Sequence, residues 1–467
     1  MKVLLIHPPL RFMIESILPQ KVELSRGHTP PLGLLYLASA IKALGKDEVR
    51  VLDAQAEELG YAEIERIIGE YQPDVVGITV LTFTLLDALR TAKIAKKHGA
   101  ITVMGGPHPH IYPAETCALD GVDYILRGEG EKNFPALLDA LRKGERFVKV
   151  DGVGYRDNGK GGDCGVGVFI ESDEWGVPAR ELTDIKRYSS VLARTSPVTT
   201  IISSRGCPYR CIFCDRPHLG RKFRAASPTQ VVDEIGLCVE MGIREFIFYD
   251  DNFTTDKERA ISICDEIISR GYKIFFDIRA RVSDLDRNLL SALKRAGCDR
   301  VHLGVESGDS EILKKLRKGI TPSDAERGFK LVREFGIMTL AYFMFGAPGE
   351  TYSTAQNTLR LAEKLKPDYV HFSLLIPFPA TELYLEGLKR GIWDVDVWAD
   401  FAKAPRQDFQ PPVWEEHLTR EEIKTITMNA YRRFYRSPAY LFRRLKNVKS
   451  AGEFVKQVRA GFKVFGF

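Results

Sequence analysis

Short apolar strands alternate with longer helices through most of this sequence, in two successive series. The first series occupies residues 1–145, where five strand–helix units predict an open parallel sheet with helices on both faces. Residues 146–196 are rich in glycine and lack sustained periodicity, so they are predicted to be a short β-rich linker. Six further strand–helix units at 197–395 predict a partial parallel barrel. Residues 396–467 read as helical.

Glycine-rich segments follow the fourth and fifth strands of the first series. Gly105, Gly106, Pro107 and His108 follow the fourth strand, and the segment at 127–131 follows the fifth. Ligands of open parallel sheets bind beyond the carboxyl ends of the strands, and glycine lets a ligand approach the backbone closely. The sequence therefore predicts a binding site at this edge.

Three of the eight cysteines lie close together, directly after the first strand of the second series. Cys207, Cys211 and Cys214 form a C-x3-C-x2-C pattern. Thiolates are the preferred ligands of iron–sulfur clusters, and three thiols would leave a fourth iron open to another ligand. A structural zinc site that includes His218 is one alternative, and unrelated thiols are another. Clustered thiols without an export signal favour a metal site in a reducing, cytoplasmic compartment.

With this loop, residues 195–395 resemble the radical S-adenosylmethionine (SAM) superfamily. The resemblance implies a four-iron four-sulfur cluster on the three cysteines and SAM on its open iron. The SAM-binding residues that it implies are Phe213, Asp250, Asp251, Arg281, Glu306, Ser307 and Gly346. Other roles remain open for several of them. Asp250 and Asp251 could cap the next helix, Arg281 could form a surface ion pair, and Gly346 could serve only the geometry of a turn.

Residues 1–145 are similar to the doubly wound, Rossmann-like cobalamin-binding domain that precedes many radical SAM domains. The implied cobalamin contacts are Thr79, Gly105, Gly106, Pro107, His108, Gly128 and Glu129. A flavodoxin-like sheet that binds a nucleotide, or nothing, is the alternative. The mutase pattern D-x-H-x-x-G is absent, so no histidine is assigned as the lower cobalt ligand. Prolines flank His108, which makes a role in a turn equally plausible.

The whole chain resembles anaerobic magnesium-protoporphyrin ester cyclases and hopanoid methylases. This resemblance implies an α/β enzyme that cleaves SAM reductively and functionalises an unactivated carbon of a small molecule, such as a lipid or tetrapyrrole. Methylation is the main prediction, and oxidation or cyclisation of a tetrapyrrole-like substrate is the alternative. A cobalamin-binding sensor without catalytic activity is a further alternative. A one-electron donor such as flavodoxin or ferredoxin is implied, and no general acid or base is identified.

The substrate pocket is expected between the cobalamin edge and the mouth of the barrel. Aromatic residues near that mouth suggest an apolar substrate, although barrel cores are apolar in any case. They are Tyr342, Phe343, Phe345 and Phe378.

Positive charge is concentrated at the end of the chain. The net charge is +5, and residues 431–467 carry ten Lys or Arg against one acid, which is +9 and leaves about −4 elsewhere. This distribution argues against general affinity for nucleic acid. The basic, aromatic tail predicts either peripheral contact with the inner face of a membrane or a structural face packed on the barrel. No segment approaches the roughly 18 apolar residues of a membrane span.

Overall fold

The computed structural model describes residues 1–14, 27–157, 160–161, 165, 167–214 and 220–447. The first series contains β1 (Lys2–His7), α1 (Leu32–Ala43), β2 (Glu48–Asp53), α2 (Tyr61–Tyr71), β3 (Val75–Thr79), α3 (Leu85–Lys97), β4 (Ile101–Gly105), α4 (Pro107–Ile111), α5 (Pro113–Ala118), β5 (Tyr124–Leu126) and α6 (Gly130–Arg142). Two further strands follow, β6 (Val153–Asp157) and β7 (Lys160–Gly161).

These strands form one sheet in the order β2-β1-β3-β4-β5-β6-β7. The first five are parallel, and β6 pairs antiparallel with β5. Val3 and Leu5 pack in one apolar cluster while Leu4 and Ile6 pack in another, so both faces of β1 are buried, as in a doubly wound sheet. Strands β6 and β7 lie within the predicted linker, and they extend this sheet at its antiparallel edge.

The second series forms the barrel. It contains β8 (Val198–Ile201), β9 (Ser204–Arg205), β10 (Arg224–Ala225), α7 (Pro228–Glu240), β11 (Glu245–Phe248), α8 (Lys257–Ser269), β12 (Phe275–Ala280), α9 (Arg287–Ala296), β13 (Cys298–Glu306), α10 (Ser310–Lys315), α11 (Pro322–Glu334), β14 (Met338–Phe345), α12 (Tyr352–Leu365) and β15 (Tyr369–Leu374). Six of the strands pair in parallel in the order β15-β14-β13-β12-β11-β8. The predicted partial (β/α)6 barrel is confirmed.

Side-chain caps fix the residues at which two of these helices begin. Ser227 caps α7, and its hydroxyl accepts a hydrogen bond from the amide of Gln230 at 3.2 Å. Asp286 caps α9 in the same way, accepting from Leu289 N at 2.9 Å. Each cap satisfies an amide that the first helical turn leaves without an intrahelical partner.

The C-terminal region packs against the last barrel strand. It contains α13 (Glu382–Arg390), α14 (Val397–Lys403), α15 (Arg420–Tyr435) and α16 (Pro438–Asn447). The Tyr435 hydroxyl accepts a hydrogen bond from Val370 N and donates one to Val370 O, while the Tyr431 hydroxyl accepts from Phe372 N. Strand β15 is the last strand of the sheet, so the backbone groups on its outer side have no neighbouring strand. The tyrosine hydroxyls bond to these groups instead.

Residues 431–447 therefore pack on the barrel, as the structural alternative for the tail predicts. Residues 448–467 lie outside the described residues. Within the described ranges, no helix is long and apolar enough to cross a membrane.

Candidate active site

The three motif cysteines lie in the loop after β9. Cys211 is buried, Cys207 is half-buried and Cys214 is exposed. Gly206, which enters the loop, has φ +83°, and a Cβ there would lie 2.2 Å from the carbonyl oxygen of Lys222. Only glycine fits so close an approach between the two sides of the loop. His218, the ligand of the zinc alternative, lies outside the described residues.

The surroundings of the loop fit an iron–sulfur cluster. A cavity of about 130 Å³ lies beside Cys211 and Cys214. The guanidinium of Arg281 lies 3.7 Å from the sulfur of Cys211. Among the described side chains, no three His, Cys, Asp or Glu converge on a single metal ion. A cluster does not need such convergence, because each thiolate binds a different iron.

Arg281 is a buried residue of this site. Its guanidinium stacks on Tyr209 at 3.9 Å and donates a hydrogen bond to the carbonyl of Lys318. In the part of the chain that the structure describes, Arg281 Nε is buried without a hydrogen-bond partner. The surface ion-pair alternative is therefore wrong, and the orphaned donor fits a carboxylate ligand next to the cluster. Its contact with SAM stays a prediction.

Asp250 accepts hydrogen bonds from the segment that leads into the cysteine loop. The carboxylate is completely buried, and it accepts hydrogen bonds from Ser203 N at 2.7 Å and Ser203 Oγ at 2.6 Å as well as from Ser204 Oγ. Burial raises the pKa of Asp250 above its ordinary value. Asp251, in contrast, is exposed. Asp256 caps the following helix, so the capping alternative for both residues is wrong.

The other predicted SAM residues lie at the carboxyl ends of β13 and β14. Glu306 has a positive φ of +72° and accepts a hydrogen bond from Lys318 Nζ at 2.7 Å. That ammonium also lies 5.9 Å from the ring centre of Phe213 in the cysteine loop. Ser307 is buried, and its hydroxyl lies 3.2 Å from Thr358 Oγ1. The cysteine loop and the β13 segment are thus brought together.

Gly346 lies in a tight turn after β14. Its φ is +94°, so the turn reading is supported, and a Cβ would lie 3.2 Å from Ile423. Its amide and that of Ala347 donate hydrogen bonds to one carboxylate oxygen of Glu350. Burial raises the pKa of Glu350 to about 7. The sequence assigns no role to Glu350, because sequence alone does not reveal its burial.

The predicted cobalamin edge is half-exposed. Thr79 ends β3, Gly105 ends β4, and Gly106 and Pro107 begin α4. A Cβ on Gly105 would have its nearest neighbour at 3.8 Å, so a side chain there would fill open space at the edge. Gly106 has φ +107°, and its Cβ would lie 2.9 Å from Val80 O. Backbone packing thus accounts for Gly106, whereas the open side of Gly105 fits a ligand that lies against bare backbone.

His108 lies inside the domain rather than on this edge. Its side chain is completely buried, and its Nδ1 lies 3.1 Å from Thr82 Oγ1. No described residue hydrogen-bonds to its Nε2. Burial lowers the pKa of His108 to about 3, so the imidazole is neutral. The packing supports a role in shaping the loop, and direct contact with cobalamin stays a prediction.

Gly128 and Glu129 lie at the junction with the barrel. A Cβ on Gly128 would lie 2.3 Å from Val168 O, which gives this glycine a packing reason of its own. The Glu129 carboxylate accepts two hydrogen bonds from Arg224, at 2.6 and 2.7 Å, and one from Ile170 N at 2.8 Å. Arg205, two residues before Cys207, pairs with Glu131 at 2.7 Å. No local pattern in the sequence predicts these ion pairs between the two domains.

The aromatic residues at the barrel mouth do not form one pocket. Phe343 and Phe345 are completely buried and stack on Phe372, so the suggestion that they line an apolar substrate pocket is wrong. Tyr342 lies on the other face of β14, where its hydroxyl contacts His302 at 2.8 Å. Alternation along a strand separates these neighbours onto opposite faces.

Two sequence profiles match this chain: the Radical SAM superfamily over residues 201–362 and the B12 binding domain over residues 22–138. An uncharacterized methyltransferase of Pyrococcus horikoshii is 34% identical over 450 residues, which cover 95% of this chain and 94% of that protein. The anaerobic magnesium-protoporphyrin IX monomethyl ester cyclase of Rubrivivax gelatinosus is 30% identical over 454 residues, covering 94% and 78%.

A solved structure has the same fold. It is the radical SAM methyltransferase TsrM from Kitasatospora setae with cobalamin and a [4Fe-4S] cluster bound. It aligns with a TM-score of 0.68 at 23% identity, covering 83% of this chain and 75% of that one.

Proposed function

This chain belongs to the cobalamin-binding radical SAM enzymes, and on that premise we propose that it methylates an unactivated carbon of a small-molecule substrate. The predicted cofactors are confirmed: a four-iron four-sulfur cluster, SAM and cobalamin. The chain is thus an enzyme, and the alternative of a sensor without catalytic activity is wrong.

The observation that carries the proposal is that the ligand-binding edges of both sheets meet. Thr29, in the segment between β1 and α1, lies with its hydroxyl 3.4 Å from that of Tyr249, which directly follows β11. Both residues lie beyond carboxyl ends of parallel strands, where ligands of such sheets bind. A substrate at this junction would contact ligands held by either domain.

When bound, the three cofactors supply the reductive cleavage of SAM and a transferable methyl group. The cysteine loop would hold the cluster, with Arg281 beside Cys211 and Asp250 fixing the strand that leads into the loop. The half-exposed edge at Gly105 would hold cobalamin. These residues orient the groups, and the chemistry itself belongs to the cofactors.

Aromatic side chains of both domains pack together along one side of the junction, where they reduce the access of water. Phe83, which follows β3, packs against Phe378 at 5.7 Å and Trp398 at 5.9 Å between ring centres. Trp398 is completely buried, and its indole N–H donates a hydrogen bond to Pro377 O at 2.9 Å. Exclusion of water protects a reactive carbon radical from side reactions.

Anaerobic reconstitution of the full chain tests the proposal. Extracts from cells that lack the protein would be incubated with the enzyme, a one-electron donor such as flavodoxin or ferredoxin, and SAM with a deuterated methyl group. We expect 5′-deoxyadenosine and a product that carries the labelled methyl group. Formation of 5′-deoxyadenosine together with an unlabelled, oxidised product would instead support oxidation or cyclisation, the chemistry suggested by the cyclase relative. In that case a tetrapyrrole becomes the first substrate to test.

The proposal includes peripheral contact with the inner face of a membrane, which would suit a lipid or tetrapyrrole substrate. Two observations support it: on helix α16, Leu441 is 44% and Phe442 is 72% exposed, and five of the ten tail cations lie just beyond them, after residue 445. We expect full-length protein to sediment with anionic vesicles, less so as salt rises, because lipid attracts basic residues electrostatically. A variant that ends at residue 445 should lose this binding but keep its cluster, and equal sedimentation of both proteins would contradict the contact.

A further inference from the structure

The inner face of the barrel is accessible and polar. On β13, Val301, Leu303 and Val305 are completely buried against the helices, whereas His302 and Gly304 between them are partly exposed. Alternate residues of a strand point to opposite faces, so the accessible residues are those that face the barrel axis. Strands β14 and β15 repeat this alternation. The accessible inner residues of the three strands are His302, Gly304, Tyr342, Met344, His371 and Ser373.

Hydrogen bonds fix the orientation of the imidazole in this face. Arg300 Nε donates to His302 Nε2 at 3.2 Å, and the same ring nitrogen lies 3.4 Å from Asp277 Oδ2. The other ring nitrogen, Nδ1, lies 2.8 Å from the Tyr342 hydroxyl. Burial lowers the pKa of His302 below its ordinary value, which keeps the ring neutral. His302 and Tyr342 are therefore oriented polar groups.

Arg279 adds a positive charge beside them. It pairs in register with His302 across β12 and β13, and its guanidinium lies 4.4 Å from the ring centre of Tyr249. Arg300 and Lys318 nearby have carboxylate partners at 2.5 and 2.7 Å. Within the residues that the structure describes, no carboxylate lies within ion-pair distance of Arg279. A partly buried cation without a counterion is costly, so this one favours an anionic ligand.

We propose that Arg279, with His302 and Tyr342 beside it, binds a carboxylate or phosphate group of the substrate. This assignment rests on the proposed function and names the class of substrate. The planar guanidinium matches both anions with two parallel hydrogen bonds. Tyr249, which covers Arg279, contacts Thr29 of the cobalamin-binding domain, so the bound anion would lie directly below the junction.

The position of Arg279 separates it from the cluster. Arg281 lies two residues further along the chain, which corresponds to about 7 Å in an extended strand, and it contacts Cys211. An anion at Arg279 would therefore lie deeper in the barrel than a ligand of the open iron. The SAM carboxylate belongs with Arg281 and the substrate anion with Arg279.

The test compares reconstituted wild type with Arg279→Gln, Arg279→Lys and the control Arg295→Gln. Arg295 is a surface arginine on α9 whose partner is Asp265 at 3.1 Å. Cell extract is separated on an anion-exchange resin into retained and unretained fractions, and each is added with SAM carrying a deuterated methyl group. Two readouts are followed: the rate of 5′-deoxyadenosine formation and the labelled product.

We expect the retained fraction to stimulate 5′-deoxyadenosine formation by wild type and by Arg295→Gln. Arg279→Gln should need roughly ten- to hundred-fold more of that fraction for the same stimulation, because a charge-assisted hydrogen bond is lost. Arg279→Lys keeps the charge without the planar fork and should fall between them. Phosphatase treatment of the retained fraction abolishes the stimulation if the anion is a phosphate and leaves it unchanged if it is a carboxylate.

Stimulation by the unretained fraction, or an unchanged requirement in Arg279→Gln with normal iron content, would overturn the assignment. A raised KM for SAM in Arg279→Gln without extract would also overturn it, because Arg279 would then serve SAM. Stimulation by the retained fraction without a labelled product would contradict methylation while leaving the anion site intact. The two proposals therefore fail in different ways.

Discussion

Replacing Glu129 with Gln should loosen the junction between the two domains. Glu129 is 5% exposed, and its two oxygens accept a bidentate pair of hydrogen bonds from Arg224 and a third bond from Ile170 N. In Glu129→Gln an amide NH₂ faces the donors of Arg224, and the buried guanidinium loses its counterion. Arg205 keeps its bond to Glu131 but loses the 3.5 Å contact with Glu129.

The size of the effect follows from burial. Removing one partner of a buried ion pair costs about 3–5 kcal/mol, because the other charge is left uncompensated. Lys222 and Glu171 form an ion pair nearby, but their side chains are 71% and 59% exposed. Glu171→Gln is therefore the matched control, for which about 0–1 kcal/mol is expected. A double variant, Glu129→Gln with Arg224→Gln, should cost less than the sum of the single variants, because the two partners interact directly.

Anaerobic urea unfolding of the reconstituted protein, followed by tryptophan fluorescence, measures the effect. The ring of Trp175 lies 4.5 Å from the Arg205 guanidinium, so its emission reports on this junction. We expect the midpoint of the first transition to fall by about 1 M urea in Glu129→Gln. Methyl transfer should also fall relative to 5′-deoxyadenosine, because the domains are held less rigidly. A shift no larger than that of Glu171→Gln would refute the reasoning.

Four further outcomes are expected. Cys211→Ala should abolish cluster assembly and SAM cleavage whereas the buried Cys264→Ala should not, and full iron and sulfide in Cys211→Ala would contradict the ligand assignment. Gly105→Leu should weaken cobalamin binding by filling the open space at the edge, and an unchanged cobalamin content after dialysis would exclude this. Electron paramagnetic resonance of bound cobalamin should show no histidine nitrogen on cobalt; a nitrogen signal that disappears in His108→Ala would reverse that view. Burial raises the pKa of Glu350 to about 7 from 4.5, so its contribution to stability is present below 4.5 and lost as pH rises through 7. Glu350→Gln should flatten the dependence of Tm on pH over that window, and an unchanged profile would show that Glu350 does not titrate there.

Local patterns predict individual elements well. Apolar positions that repeat every three to four residues predict a helix over Tyr61–Tyr71, and helix α2 occupies those residues. The apolar run predicts a first strand over Lys2–Ile6, and β1 is one residue longer, ending at His7, since pairing with Asp53 extends the ladder. Local patterns do not locate the strands within residues 146–196. Strands β6 and β7 are short, and they gain their stability only from the edge of a sheet already formed.

The sequence by itself determined the cysteine loop, the two strand–helix series and, through resemblance, the three cofactors. These features depend on spacing within a few residues or on periodicity along one element, and both can be read along the chain. Only the tertiary structure decided which faces of the barrel strands are accessible and which charges meet. Glu129 and Arg224 are 95 residues apart, and Arg279 faces a lumen whose walls come from separate strands. Contacts of this kind arise from packing between elements, so no local pattern in the sequence encodes them.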